Sequence, residues 1–171
     1  MSSIELVSFL PRRFPSLFSL TLIFLLRISS TALAAGLKPD QILLLPYAIE
    51  KLPLLLTQLE PHSVNTILSI LVLCSIPNPT TTLPAFLNTF LAPKGNMLFY
   101  EHVSSELKEA RWWQKAWTPI WKLVFDGCRL DRETVDLIRG AGGWETEEVW
   151  RKEGEEKESL VSHRIGVFTR E

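Results

Sequence analysis

A carboxylate and an imidazole stand side by side at Glu101 and His102, directly after the apolar run 97–100. Histidine titrates near neutral pH, so His102 can act as a general base that takes a proton from a thiol or a hydroxyl. It can also be a structural histidine bonded to a nearby backbone group. Because α/β folds bind their ligands at the carboxyl ends of strands, we treat Glu101 and His102 as the candidate catalytic residues.

The two cysteines, Cys74 and Cys128, lie far apart in the sequence. Two such thiols make no disulfide framework and cannot by themselves provide a four-ligand zinc site. We therefore expect both to be reduced thiols that pack in the interior or line a pocket, and we assign no metal ligands. Gly127, between Asp126 and Cys128, indicates only that a helix ends there.

Three tryptophans, Trp113, Trp117 and Trp121, recur at intervals of four residues. This spacing places them on one face of a long helix that starts after Ser104 and is bent by Pro119. Such a row of indoles is typical of a core or of a wall that faces a membrane. A substrate cage is the more specific alternative.

These residues must be positioned by an α/β scaffold. Residues 64–75 are a continuous aliphatic run without alternation, which predicts a strand covered on both faces in a parallel sheet. A helix follows, capped by Thr80, Thr81 or Thr82, and residues 96–103 predict the next strand after a turn at 93–95. A shorter strand is expected at 42–45. The apolar face of the predicted helix comprises Leu83, Phe86, Leu87 and Phe90.

The C-terminal third predicts one more helix and two strands. Asp131 can cap a helix that runs through Leu137 and Ile138 and is ended by Gly140, Gly142 and Gly143. Trp144–Arg151 and Ser162–Arg170 are expected to pair as antiparallel edge strands. The region between them, within residues 147–158, is mostly charged and is interpreted as a solvated turn and not as a binding site.

The overall charge excludes one class of partner. Eighteen basic and 19 acidic residues give a net charge of -1. The chain therefore has no general field that would attract nucleic acid, and no nucleic-acid partner is expected.

Residues 1–33 are predicted to be a hydrophobic N-terminal segment, distinct from a domain over residues 34–171. The uncharged stretch 14–26 is shorter than the roughly 20 residues that a membrane-spanning helix needs. It can be an anchor or interfacial segment, a signal peptide cleaved near Ala34, or a buried hydrophobic hairpin. An anchor or interfacial segment predicts a protein associated with the endoplasmic reticulum membrane. A cleaved signal peptide predicts a secreted protein.

Residues 70–79 (ILVLCSIPNP) and 91–103 (LAPKGNMLFYEHV) resemble the fourth and fifth strands of class I S-adenosylmethionine-dependent methyltransferases. The tryptophan-rich helix and residues 101–103 (EHV), 126–128 (DGC) and 131–134 (DRET) are more narrowly similar to a membrane-anchored, methyltransferase-like branch that includes thiol methyltransferases. The resemblance covers roughly residues 34–171.

This resemblance implies a partial Rossmann-like sheet with flanking helices and the cofactor S-adenosyl-L-methionine (SAM). By position, Glu50 would reach the adenine, and Leu73, Cys74 and Ser75 would line the cofactor pocket. His102 would help generate the nucleophile, assisted by Glu101. The residues implied on the substrate side are Trp117, Trp121, Asp126 and Cys128.

Two hypotheses about function follow, because the family's glycine-rich loop has no counterpart in this sequence. The first is a methyltransferase that acts on oxygen, sulfur or nitrogen of a small hydrophobic molecule, in secondary metabolism. The second is a truncated, inactive paralogue that serves as a partner or scaffold. Without the family's first two strands, residues 64–75 would keep an unpaired edge, which predicts a homo- or hetero-oligomer.

Overall fold

A computed structural model of the protein describes residues 30, 31, 33–39, 43, 45 and 47–171. It has two compact units, Met1–Leu55 and Leu56–Glu171. The first contains the short helix α1 (Leu52–Leu55). The domain boundary expected after residue 33 stays a prediction. The second unit contains, in chain order, β1 (Val64–Ile70), α2 (Pro79–Phe90), β2 (Leu91–Val103), α3 (Lys108–Val124), α4 (Thr134–Gly140), β3 (Trp144–Arg151) and β4 (Ser162–Arg170).

The four strands form one sheet in the order β1-β2-β4-β3. β1 and β2 are parallel and are joined through α2, which confirms the predicted strand, helix and strand unit. β4 runs antiparallel to both β2 and β3. The fold class predicted from the sequence, an α/β domain with flanking helices, is therefore confirmed.

The turn predicted at residues 93–95 is an excursion inside β2. Val64 pairs with Leu91, but Thr66 already pairs with Asn96, so four residues of β2 bulge out between the two pairs. Lys94 has a positive φ of 60. A Cβ at Gly95 would lie only 2.8 Å from the Ala92 carbonyl oxygen, which explains why the excursion needs glycine at this point.

Aromatic side chains fill the centre of the second unit. Phe90, Phe99 and Phe168 are fully buried. Phe99 of β2 meets Phe168 of β4 edge to face, with ring centroids 5.4 Å apart, and Trp144 of β3 meets Phe168 in the same manner. The helix α2 buries the predicted apolar face comprising Leu83, Phe86, Leu87 and Phe90.

Several expectations about local structure are wrong. β1 ends at Ile70 and not at residue 75, and one of its faces is open, with Leu68 56% and Ile70 53% exposed. β4 is an inner strand and not an edge, because it pairs on both sides. The residues before α2 and α4 are Asn78 and Glu133, so the predicted caps at 80–82 and Asp131 do not occupy the capping position.

The prediction of a hydrophobic segment falls largely on residues outside those that the structure describes, as do residues 42 and 44 of the short strand expected at 42–45. None of the described helices is both long enough and apolar enough to cross a bilayer.

Candidate active site

The loop that follows β1, residues 71–77, begins with a sharp change of direction. Leu71 has a positive φ of 54, and its N–H donates to the Tyr100 carbonyl oxygen of β2 at 2.9 Å. The chain thus leaves the sheet where β1 ends, beside the last residues of β2. The loop contains Leu73, Cys74 and Ser75, which were predicted to line a cofactor pocket.

Glu101 holds this loop from within. Its carboxylate is fully buried and accepts hydrogen bonds from the Ser69 hydroxyl at 2.6 Å, the Val72 N–H at 2.9 Å and the Leu73 N–H at 3.1 Å. Burial raises the pKa of Glu101, although each of these hydrogen bonds acts in the opposite direction. The geometry is that of a residue that orders a loop, while its predicted catalytic role stays a prediction.

Arg132 holds the same loop from its other side. Its guanidinium donates to the carbonyl oxygens of Leu73 and Ile76, the second at 2.9 Å. The Arg129 N–H donates to the Cys74 carbonyl oxygen at 3.2 Å. The loop is consequently a rigid surface, and the backbone groups named here are already paired within the protein.

Cys74, His102 and Cys128 meet at this loop. The two sulfurs lie 3.2 Å apart, and His102 Nδ1 lies 3.3 Å from the Cys128 sulfur. Both cysteines are buried and unbridged, as expected from the sequence, and His102 is half-buried. We call these three residues the Cys–His cluster.

The two thiols are joined by a hydrogen bond. The hydrogen bond with Cys74, with support from His102 and Trp121, lowers the pKa of Cys128 to about 4 despite the opposing effect of burial. The same hydrogen bond and burial raise the pKa of Cys74. The contact between the two sulfurs therefore shifts the two thiol pKa values in opposite directions.

A row of rings extends from His102 along the sheet. His163 of β4 lies against His102 with ring centroids 4.8 Å apart, and it stacks on Tyr100 at 4.9 Å. His163 Nδ1 is 2.6 Å from the carboxylate of Glu155. On the backbone side, the Thr134 hydroxyl donates to the His102 carbonyl oxygen at 2.6 Å. His102 is therefore fixed from two directions.

The predicted substrate residues lie in different places. Trp121 stacks on Phe125 with ring centroids 4.0 Å apart. Its side chain also interacts with the Cys128 sulfur and helps to lower the pKa of that thiol. Asp126, with φ 46, occupies the turn before Cys128. Trp117 is instead 46% exposed. With Trp113 it lines a separate open groove of about 600 Å³ that shares no lining residue with the Cys–His cluster.

Glu50 belongs to the other compact unit, where it stands half-buried in the turn before α1.

Sequence reasoning named Cys74, His102 and Cys128 separately and did not predict that they meet. The parallel unit is a signal for two of the three residues, because Cys74 comes shortly after β1 and His102 lies at the carboxyl end of the adjoining strand β2. Sequence reasoning gave no role to Ser69, His163 or Gln114, and it named Arg132 only within the motif 131–134.

The fold is that of a Rossmann-like methyltransferase. A solved SAM-dependent methyltransferase from Thermotoga maritima superposes on this protein with a TM-score of 0.54 at 17% identity, covering 77% of this chain and 65% of that chain. At this identity the likeness shows the fold alone.

In sequence, the chain is similar to thiol S-methyltransferases. The identity is 37% over 95 residues with TMT1B of Rattus norvegicus, which is 55% of this chain and 38% of that protein. It is 38% over 85 residues with TMT1A of Homo sapiens, covering 49% of this chain and 34% of that protein. The matched region is thus little more than a third of each relative's length. No protein-family model matches the chain. Together, sequence and fold support the class I resemblance drawn from residues 70–134.

Proposed function

We propose that the second unit contributes the substrate side of a SAM-dependent methyltransferase that methylates the thiol of a small hydrophobic molecule. The observation that carries this proposal is the Cys–His cluster at the carboxyl ends of two adjoining parallel strands. This is the edge at which α/β sheets bind ligands. The relatives' activity on thiols favours sulfur over oxygen or nitrogen as the acceptor atom.

His102 is the residue that we assign to the acceptor's proton. SAM supplies a methyl group bonded to a sulfonium, which an ionised thiolate accepts far more readily than a thiol does. His102 Nδ1 faces Cys128, so its Nε2 is the ring nitrogen left to take the proton from the acceptor. Glu101 acts through the loop as a positioning residue.

The loop 71–77 could pack against SAM, but it offers few free groups for hydrogen bonds to the cofactor. The amides of Val72 and Leu73 are bound to Glu101, and the carbonyls of Leu73, Cys74 and Ile76 are also paired. Leu73, Cys74 and Ser75 would therefore contact the cofactor with a fixed surface. The amino, carboxylate and ribose groups of SAM need partners elsewhere than in this loop.

Titration calorimetry and methyl transfer test the proposal together. The full chain is titrated with SAM and with S-adenosylhomocysteine, and then assayed with labelled SAM and a small aliphatic thiol. We expect binding tighter than about 100 µM, roughly 5.5 kcal/mol, and transfer that His102→Ala abolishes. His62→Ala is the matched control, because His62 is exposed and lies outside the cluster. A folded sample without heat or methyl transfer would refute the proposal.

A second candidate, a partner or scaffold role, is favoured by the open face and edge of β1. Among the described residues β1 pairs with β2 alone, and Leu68 and Ile70 are more than half exposed. Such an edge can accept a strand from a second chain. Light scattering on the full chain would then show a dimer that Leu68→Lys dissociates, whereas Leu123→Lys, on the exposed side of α3, would leave it intact.

We also propose that the protein attaches to the membrane of the endoplasmic reticulum. The alternative proposal is that it is secreted. Membrane attachment is supported by the exposed apolar residues of α3, which include Trp112, 61% exposed, and Leu123, 68% exposed. Indoles favour the interface between lipid and water. Flotation of the full chain with phosphatidylcholine vesicles tests this. Replacing Trp112 and Trp117 by Ser is expected to reduce flotation, and unchanged flotation would remove α3 from the proposal.

A further inference from the structure

We infer that Cys74, His102 and Cys128 form a three-ligand site for Zn²⁺ with one open coordination position. The ligand atoms of these three residues all lie within 4.8 Å of one another. Two sulfurs and one imidazole nitrogen are a ligand set that zinc accepts in proteins, and three protein ligands are typical of zinc sites that keep a position open.

The distances suit one small ion. Zinc lies about 2.3 Å from sulfur and about 2.0 to 2.1 Å from nitrogen, so two sulfurs on one tetrahedral ion stand close to 3.8 Å apart by geometry. The two cysteine sulfurs are 3.2 Å apart, and His102 Nδ1 is 3.3 Å from Cys128. The two sulfurs must move apart by about half an ångström. The distance from the Cys74 sulfur to the His102 ring nitrogen, which is within 4.8 Å, must come to about 3.6 Å, so side-chain rotations that move an atom by up to about 1 Å are needed.

The backbone around the ligands is already ordered. Cys74 lies within the loop that Glu101 and Arg132 hold, and the Arg129 backbone N–H donates to the Cys74 carbonyl oxygen. The Thr134 hydroxyl fixes the backbone of His102. Supports of this kind orient metal ligands and strengthen binding.

The charges also permit the ion. Arg132 is the cation that lies near both thiols, and it would repel an uncompensated metal ion. Two thiolates and a neutral imidazole around Zn²⁺ give a net charge of zero, so no repulsion remains. Binding releases thiol protons to solvent, and the buried indole N–H of Trp121, which already interacts with the Cys128 sulfur, would remain beside a metal-bound sulfur.

The open position suits the acceptor thiol, and this part of the inference rests on the proposed function. A thiol that coordinates zinc would lose its proton to solvent on binding. With zinc bound, the metal and not His102 would ionise the acceptor thiol, and His102 would serve as a ligand. The role of base assigned to His102 above then belongs to the metal-free protein. The chemical class of ligand expected at the open position is a small alkyl thiolate.

Cobalt titration of the full chain tests the site without substrate. The protein is reduced, stripped with a chelator and titrated with Co²⁺, whose bonds to thiolates give charge-transfer absorption. We expect one Co²⁺ per chain, displaced by one Zn²⁺, with a Kd below about 1 µM. The double variant Cys74→Ser, Cys128→Ser and the variant His102→Ala should weaken binding by about 100-fold or more. His62→Ala should bind as the wild type does.

Two further measurements keep the test decisive if a variant folds poorly. His102→Cys restores a soft ligand and should recover the absorption, and Zn²⁺ should raise the Tm of the wild type but not that of folded variants lacking the cysteines. Absence of thiolate absorption, or binding that survives loss of both cysteines, would overturn the inference. Metal binding without methyl transfer would refute only the proposed function, and methyl transfer by zinc-free protein would refute only the role of the metal.

Discussion

The Ser69 hydroxyl of β1 donates a 2.6 Å hydrogen bond to the Glu101 carboxylate of β2, and both side chains are buried. The same carboxylate binds the amides of Val72 and Leu73, so it joins the end of one strand to the loop after it. The carboxyl ends of the two parallel strands are thus fixed as a unit. Cys74 comes directly after Leu73, and His102 comes directly after Glu101. This connection therefore holds Cys74 and His102 close together.

Replacing Glu101 by Ala should destabilise the protein by about 3 kcal/mol. The substitution leaves the buried amides of Val72 and Leu73 and the Ser69 hydroxyl without their acceptor, and unpaired buried groups are costly. Urea denaturation monitored by circular dichroism measures the change. Glu109→Ala is the matched control, since Glu109 is exposed in the first turn of α3, and should change the free energy of unfolding by less than about 0.5 kcal/mol. Equal effects of both substitutions would contradict this account.

Gly166 of β4 should not tolerate a methyl group. An added Cβ would lie 2.7 Å from the Glu148 carbonyl oxygen and would also collide with the ring of Phe99. Both neighbours are held in the sheet, so Gly166→Ala should lower the free energy of unfolding by about 2 to 4 kcal/mol. A Cβ added at Gly140 would have no heavy atom within 4 Å. Gly140→Ala should therefore be neutral or stabilising by up to about 1 kcal/mol. Thermal unfolding distinguishes the two, and a neutral Gly166→Ala would show that β4 can shift.

Much of the fold could be predicted because its elements carry clear local patterns. The bounds expected for Trp144–Arg151 and Ser162–Arg170 agree with β3 and β4, and the apolar spacing in α2 correctly gave its buried face. The exposed face of β1 could not be predicted in this way. An aliphatic run fits a strand in either setting, and only tertiary structure decides which side is covered.

Helix α3 shows why a spacing of four residues is ambiguous. Two rows with this spacing run along it, the tryptophans 113, 117 and 121 and the smaller residues Ala110, Gln114 and Thr118. The structure buries the second row and leaves Trp113 and Trp117 about half exposed. Hydrophobicity favours the tryptophan row, but Gln114 has hydrogen-bond partners that only the folded protein provides. The Cys–His cluster escaped prediction for a similar reason, since Cys128 reaches it through a long connection.

Gln114 should be essential for holding α3 in place. It is fully buried, accepts from the Ser105 N–H at 2.7 Å and donates to the carbonyl oxygens of Val103 and Leu160 at 3.2 and 2.9 Å. Gln114→Ala removes all three bonds and should cost about 2 to 4 kcal/mol. Gln58→Ala, at an exposed position, should be nearly neutral. Hydrogen exchange should show faster exchange throughout α3 in Gln114→Ala, and unchanged exchange would contradict the role.

Asp131 should stabilise the protein in a way that depends on pH. Burial acts to raise the pKa of Asp131, but hydrogen bonds and charge attraction from Arg129 outweigh it and lower the pKa. Arg129 binds both carboxylate oxygens at 3.0 Å. Because the pKa is lower in the folded than in the unfolded protein, the contribution is fully present above the unfolded pKa of about 3.9. It is lost as the pH falls through the folded pKa.

The difference in unfolding free energy between wild type and Asp131→Asn should therefore shrink as the pH falls from about 5 towards 2. Its size above pH 5 should be about 1 kcal/mol or less, because the Arg129 side chain is 49% exposed and solvent screens the pair. Denaturant titrations at a series of pH values measure this difference. Arg129→Gln should lose the same pH-dependent part, since it removes the cation that lowers the pKa. A difference that stays constant down to pH 2 would show that packing, and not the charge of Asp131, is what the substitution removes.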